Sequence, residues 1–189
     1  MICTRKEWIT GKMLKKLFSE IPLLKSGELI LKRIGERDGA ALRGLVDDPV
    51  VYRYLPTFLF EKKYPDIDAV IGGLYDECLK ESIILGVFRN GDFCGLAEMY
   101  GFRDDIHKVS VGYRLLQRYW GKGIASGALG LMIDYLYGET DIEIITASTM
   151  VENKASARVL QKNGFELVAS GVGEDWGYET PTITDKWIR

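Results

Sequence analysis

Gln117-Arg118-Tyr119-Trp120-Gly121-Lys122-Gly123-Ile124-Ala125 lies between two patterned runs, and the junction it makes decides the fold. Before it, Val109, Val111, Tyr113 and Leu115 alternate along the run to Leu115 and predict a strand with these residues on one face. After it, Ala125, Ala128, Leu129, Met132, Ile133 and Leu136 recur at three- and four-residue steps and predict a helix ending near Tyr137. Gly121 and Gly123 let the backbone approach a ligand with no Cβ in the way. The helix start adds N–H groups without intrahelical acceptors and the positive end of the helix dipole. A strand, a glycine loop and a helix start in that order suit a phosphate group.

The surrounding composition narrows the class. A chain of 189 residues is long enough for one domain with a real core, or one domain with an extension. Lys and Arg number 25 against 27 Asp and Glu, a net charge of −2, so no basic surplus points to nucleic acid. Apolar residues at 47% and charged residues at 28% are ordinary for a soluble globular protein, and no apolar run is long enough to span a bilayer. Cys3, Cys78 and Cys94 are widely spaced, without a CxxC pair, and read as reduced thiols; neither a disulfide framework nor a metal site is expected. Arg5, Lys6, Lys12, Lys15 and Lys16 near the N-terminus lack the apolar core and cleavage site of a signal peptide, so the expected location is the cytoplasm.

Residues 1–27 read as an N-terminal extension. Leu14, Leu17, Phe18 and Ile21 have helical spacing, with Pro22 as the stop. The helix either packs on its own domain or, with Trp8 and the lysines, lies on a membrane surface; packing on the domain is the preferred reading, and no membrane partner is expected. Residues 28–189 read as one mixed domain. Glu28–Ile34 predicts a strand, and Asp38–Asp47 a short helix stopped by Asp48-Pro49. Val50–Tyr64 is aromatic and irregular, either pocket lining or packing for the helical pattern over Asp66–Lys80.

Ile83–Phe88 and Phe93–Tyr100 predict a hairpin turned at Asn90-Gly91. Glu98 interrupts the second strand on the face of Cys94, Leu96 and Tyr100; it is either an edge or solvent-facing position or a catalytic carboxylate. His107, the single histidine, stands in an acidic loop with Asp104 and Asp105. Ile142–Ala147 suits an internal strand. Asn153 caps a helix that runs to Lys162 and stops at Asn163-Gly164. Phe165–Ala169 and Thr182–Ile188 predict the last strands. Early hairpins followed by alternating strands and helices make an α/β (α+β) domain.

The glycine stretch lacks the spacing of a dinucleotide fold and the Gly-Lys-Ser/Thr ending of a P-loop. Arg118-x-x-Gly121-x-Gly123 resembles instead the R/Q-x-x-G-x-G/A pyrophosphate loop of the GNAT superfamily, the acyl-CoA-dependent N-acyltransferases. Val111-Gly112-Tyr113-Arg114-Leu115 and Tyr119-Trp120-Gly121-Lys122-Gly123-Ile124-Ala125 resemble its ribosomal-protein N-acetyltransferase subgroup. So does Asn153-x-x-Ser156-x-x-x-Leu160-x-Lys162-x-Gly164-Phe165. The resemblance runs from Glu28 onward and leaves residues 1–27 outside.

The resemblance implies a mixed, twisted sheet splayed open at an acyl-CoA site, with helices on both faces. It places Arg118, Tyr119, Trp120, Gly121, Lys122, Gly123, Ile124 and Ala125 around the pyrophosphate of acetyl-CoA. Lys122 either adds charge at the rim or is a surface lysine. Backbone groups of Arg114 and Leu115 face the pantetheine arm, and the Asn153 amide binds the same arm, caps its helix, or both. Three positions depart from the family pattern. Leu160 stands where many members carry a tyrosine that protonates the departing thiolate, so Ser156, one turn earlier, is assigned to the sulfur. Ser110 and Gly127 stand where relatives carry glutamates. Glu98 is then the leading general base, ahead of Tyr113 and His107.

The expected activity is acetyl transfer from acetyl-CoA to a primary amine by direct attack, with a protein N-terminus or a small-molecule amine as acceptor, by a monomer or homodimer. The rival reading is a sensor that binds acyl-CoA and has lost catalysis, supported by Ser110, Gly127 and Leu160.

Overall fold

Asn90 and Gly91 turn the predicted hairpin with φ of 53° and 88°, both in the left-handed region that a type I′ turn requires. The computed structural model describes residues 16–17, 19–55, 66, 69–72 and 82–189. In it, β1 (Leu24–Ser26), β2 (Leu29–Lys32), β3 (Ser82–Arg89), β4 (Asp92–Arg103), β5 (Lys108–Leu115), β6 (Ile144–Met150), β7 (Glu166–Glu174) and β8 (Thr182–Ile188) form one sheet. Its order is β1-β2-β3-β4-β5-β6-β8-β7. Every pairing is antiparallel except β5 with β6.

Helices cover both faces, as expected. α1 (Gly39–Val46) buries Leu42 and Leu45 against Ile84, Phe88, Phe93 and Leu96 on one face. α2 (Ile124–Glu139) buries Leu129, Met132, Ile133 and Leu136 against Ala97, Met99, Val109 and Val111 on the other. α3 (Lys154–Lys162) adds Leu160 to that second cluster. Each of these large side chains contributes about 1.5–3 kcal/mol by leaving water. Among the described residues, no helix is long and apolar enough to cross a membrane.

Two differences from the sequence reading have local causes. Gly27, at φ 56°, makes a tight turn, so that Leu24–Ser26 pairs with Leu29–Leu31 and the described end of the predicted extension joins the sheet. Of the helix expected around Leu14–Ile21, residues 14, 15 and 18 lie outside the described residues, and the remainder is not helical. Most of the expected 66–80 helix also lies outside them, although 69–72 are helical. The second difference is a bulge. Val87 pairs with Gly95 and Phe88 with Phe93, leaving Cys94 as the extra residue. Cys94 therefore joins the α2 face, while Leu96 packs on the α1 side.

The bulge depends on glycine. A Cβ at Gly95 would lie 2.1 Å from the Arg114 carbonyl oxygen and 2.7 Å from Leu115 Cα, both backbone atoms. Gly95→Ala is expected to destabilise the fold by about 3 kcal/mol in urea unfolding. Gly44→Ala, on the exposed side of α1 where a Cβ meets nothing within 4 Å, should instead gain about 0.5–1 kcal/mol.

Candidate active site

β5 and β6 run together for only three residue pairs, Lys108 with Ile144, Val109 with Ile145 and Ser110 with Thr146. Beyond them the strands part. Ser110 and Thr146 join their hydroxyls at 2.9 Å where the strands separate. Past that point Val111–Leu115 keeps its pairing with β4 on one side and opens a cleft on the other. The residue at 110 is thus a short hydroxyl tied into the sheet.

The loop that follows β5 is built from short backbone bonds. Leu116 N–H donates to Cys94 O at 2.9 Å, and Gln117–Tyr119 makes a single 3₁₀ turn. Gly121 (φ 71°) and Gly123 (φ 75°) then take left-handed conformations, and α2 begins at Ile124. A Cβ at either glycine would meet nothing within 4 Å, so the space over the loop is open. No acidic residue occupies the first turn of α2, and no side chain caps it. The N–H groups of Ile124 and Ala125 stand in that first turn, where a helix offers no acceptors of its own. The Ile124 side chain is buried in the core.

Two cations flank the same ring. The Arg118 guanidinium lies 5.0 Å and Lys122 Nζ 5.7 Å from the centre of the Tyr119 ring. Open glycine backbone, a helix start and two cations fit a pyrophosphate. Trp120, half-exposed, donates its indole N–H to Leu115 O at 2.7 Å. The carbonyl expected to face a pantetheine arm is therefore already engaged by the loop. Gln117 donates twice to the Asp48 carboxylate, at 3.0 and 2.8 Å, and this bond holds the Asp48 carboxyl below its usual range.

On the far lip of the cleft, Asn153 caps α3 by accepting Ser156 N–H at Oδ1, 3.1 Å away. The cap uses Oδ1 only, so Nδ2 remains to donate to a ligand. Ser156 Oγ lies 2.8 Å from the Tyr113 hydroxyl on the near lip. Desolvation pushes the Tyr113 phenol up to about 12, with the Ser156 bond partly opposing it. A neutral phenol at physiological pH is a donor rather than a base.

Glu98 and Arg114 occupy the other face, beside α1. Arg114 Nη2 donates to Glu98 Oε2 at 3.2 Å, with both side chains under 8% exposed. Arg114 Nη1 also donates to the Tyr52 hydroxyl at 3.1 Å. Glu98 is thus an interior position of the sheet, which removes the edge alternative. Its charge, after burial itself, helps raise the Tyr100 phenol well above the ordinary range. Tyr100 lies over Gly112, where a Cβ would be 3.4 Å from its ring. His107 stands at the opposite end of β5, with Nδ1 3.5 Å from Asp141 Oδ2. Six residues of strand, about 20 Å, separate it from Tyr113.

The remaining departures have packing reasons. A Cβ at Gly127 would come within 2.8 Å of Leu29 Cδ2, so a side chain there would displace the end of that leucine. Leu160, 2% exposed, is part of the core under α2. Sequence reasoning had no means of finding the Tyr113–Ser156, Arg114–Tyr52 and Gln117–Asp48 bonds, because their partners are 43, 62 and 69 residues apart.

The fold has counterparts among known proteins. The acetyltransferase (GNAT) domain family matches residues 28–166. The chain is 26% identical over 168 residues to an uncharacterized N-acetyltransferase, YoaA, of Bacillus subtilis (strain 168), covering 87% of this chain and 93% of that one. It superposes on an acetyltransferase (GNAT family) from Bacillus anthracis with a TM-score of 0.76 at 18% identity, covering 89% and 98% of the two chains. With RimL, a ribosomal L7/L12 alpha-N-protein acetyltransferase in complex with coenzyme A, the TM-score is 0.75 at 18% identity, covering 89% and 97%.

Removing the carboxylate of the buried pair strands a guanidinium in the interior. Glu98→Ala should cost about 3–5 kcal/mol of stability. Glu98→Gln, which keeps a hydrogen-bond acceptor for Arg114, should cost distinctly less in the same denaturant titration.

Proposed function

This chain belongs to the acetyltransferase (GNAT) family, and on that premise we propose that it moves an acetyl group from acetyl-CoA to a primary amine by direct attack. The observation that carries the proposal is the divergence of β5 from β6 beside the glycine loop. A helix start with no side-chain cap, a diverging strand and a serine hydroxyl lie along one cleft, and this supports the reading. The loop from Arg118 to Ala125 takes the pyrophosphate, with backbone N–H groups as the main donors and Arg118 and Lys122 as flanking charge. Asn153 Nδ2 and backbone groups at the end of β5 take the pantetheine arm. The bound cosubstrate supplies a thioester carbonyl, and the protein's part is to hold an amine against it.

The amine nitrogen forms a bond to the carbonyl carbon, the C–S bond breaks, and the electron pair stays on sulfur beside Ser156. The amine's proton leaves toward Glu98, directly or through water. The acceptor enters on the α1 face, beside Tyr52, whose hydroxyl accepts from Arg114. A protein N-terminus or a small-molecule amine fills that role, and the cytoplasm supplies the acetyl-CoA. Local packing and hydrogen bonding account for Ser110, Gly127 and Leu160 without invoking a loss of catalysis, which favours the transferase over the acyl-CoA sensor.

Acetyl-CoA at about 100 times its dissociation constant should stabilise the chain by roughly 2.7 kcal/mol, seen as a rise in Tm. Free thiol should then appear with at least one amine from a panel of peptide N-termini, polyamines and aminoglycosides. Gly121→Ala, which adds a side chain in a left-handed position in the loop, should cost about 1–2 kcal/mol of stability and abolish the acetyl-CoA shift. Stabilisation without thiol release on any amine would count against the transferase, and no stabilisation would count against the cosubstrate site.

A further inference from the structure

The Tyr113–Ser156 contact joins the two lips of the cleft and has no part in packing the sheet. Tyr113 is three residues past Ser110, the last residue of β5 paired to β6. Its ring packs with the α2-side core, and its hydroxyl reaches across to the first turn of α3. On that side Ser156 is held rigidly: its N–H is bound by Asn153 Oδ1, and Ala157 N–H donates to Asn153 O at 3.1 Å. Two hydroxyls 2.8 Å apart share one proton between them, so the direction of the bond decides which hydrogen is left over. A phenol is the stronger donor of the two. When it donates, the serine's own hydrogen is released from the pair.

We propose that Tyr113 is a positioning residue for the transfer: its O–H donates to Ser156 Oγ, which turns the Ser156 hydrogen into the cleft toward the sulfur of bound CoA. The inference rests on the cosubstrate reading above. As the C–N bond forms and the C–S bond breaks, the Ser156 hydrogen bond meets the negative charge collecting on sulfur. A hydroxyl that is itself accepting a hydrogen bond donates more strongly. Tyr113 keeps its proton throughout, and the proton that ends on sulfur is the one lost by the amine, carried through solvent. Desolvation holds the phenol neutral, up to about 12, so this donor persists across the pH range in which CoA thiolate forms.

Calorimetric titration at pH 9 with CoA and with desulfo-CoA, which lacks the sulfur, tests this without an acceptor amine. The wild type should prefer CoA by about tenfold, the scale of one charge-assisted hydrogen bond. Tyr113→Phe should reduce the preference to about threefold with desulfo-CoA affinity unchanged, which also reports that the variant is folded. Ser156→Ala should abolish it, and the double variant should lose no more than Ser156→Ala alone. Full preference in Tyr113→Phe, equal weakening toward both compounds, or additive losses in the double variant would overturn the proposal. A wild type that binds both compounds equally would remove Ser156 from the sulfur and the proposal with it. A wild type that binds neither would instead overturn the cosubstrate reading on which the proposal stands.

Discussion

The parallel pairing of β5 with β6 stops after three residue pairs, and the rest of the site depends on that stop. Parallel strands need a crossover between them, and here the crossover is the glycine loop and α2. A parallel pair that closed fully would bury its edges. One that opens leaves a row of backbone groups on Val111–Leu115 that must find other partners. The loop supplies one, since the Trp120 indole takes Leu115 O. Side chains supply another tie, at Ser110 and Thr146, where the gap begins. The cleft is therefore a built feature, pinned at its apex and at its mouth.

The two faces of β5 do different work because successive side chains alternate across the sheet. Tyr113 faces α2 and α3 and reaches Ser156 across the cleft. Arg114 faces α1 and holds Glu98 and Tyr52. A buried ion pair of this kind contributes little net stability, because the desolvation of both charges offsets most of their attraction. Its worth lies in geometry. It fastens the short 3₁₀ segment Val51–Tyr54 to the middle of the sheet, while Gln117 fastens the glycine loop to Asp48 just before that segment. The α1 face of the sheet and the loop are thus tied to the same short stretch, Asp48–Tyr52.

Much of this was legible in the sequence because it rests on local chemistry. Alternation over Val109–Leu115, helical spacing after Ala125, Asn90-Gly91 and the Asn153 cap each specify their element with neighbouring residues alone. β1 was missed because a three-residue strand carries no usable period and reads as the tail of an extension. Cys94 was assigned to the wrong face because a bulge shifts the alternation by one residue, and Gly95 alone does not announce one. Glu98 stood out as a carboxylate among apolar neighbours, yet its partner comes from the next strand, sixteen residues away. Register across a sheet is a tertiary fact, and no single strand contains it.

Leu160 is the departure that most seemed to weaken the catalytic reading, since the family pattern often has a phenol there. Its side chain, 2% exposed, fills the core where α3 meets the sheet. A phenol at that point would have to turn out of the core to reach the cleft, and the core would lose a well-packed leucine, a change of several kcal/mol. Tyr113 brings a phenol to the same cleft from the opposite lip, on a strand that holds it by its pairing with β4. The serine one turn before Leu160 is the point where the two lips meet. The hydrogen bond across the cleft thus joins a strand fixed by its pairing with β4 to a helix turn fixed by its Asn153 cap.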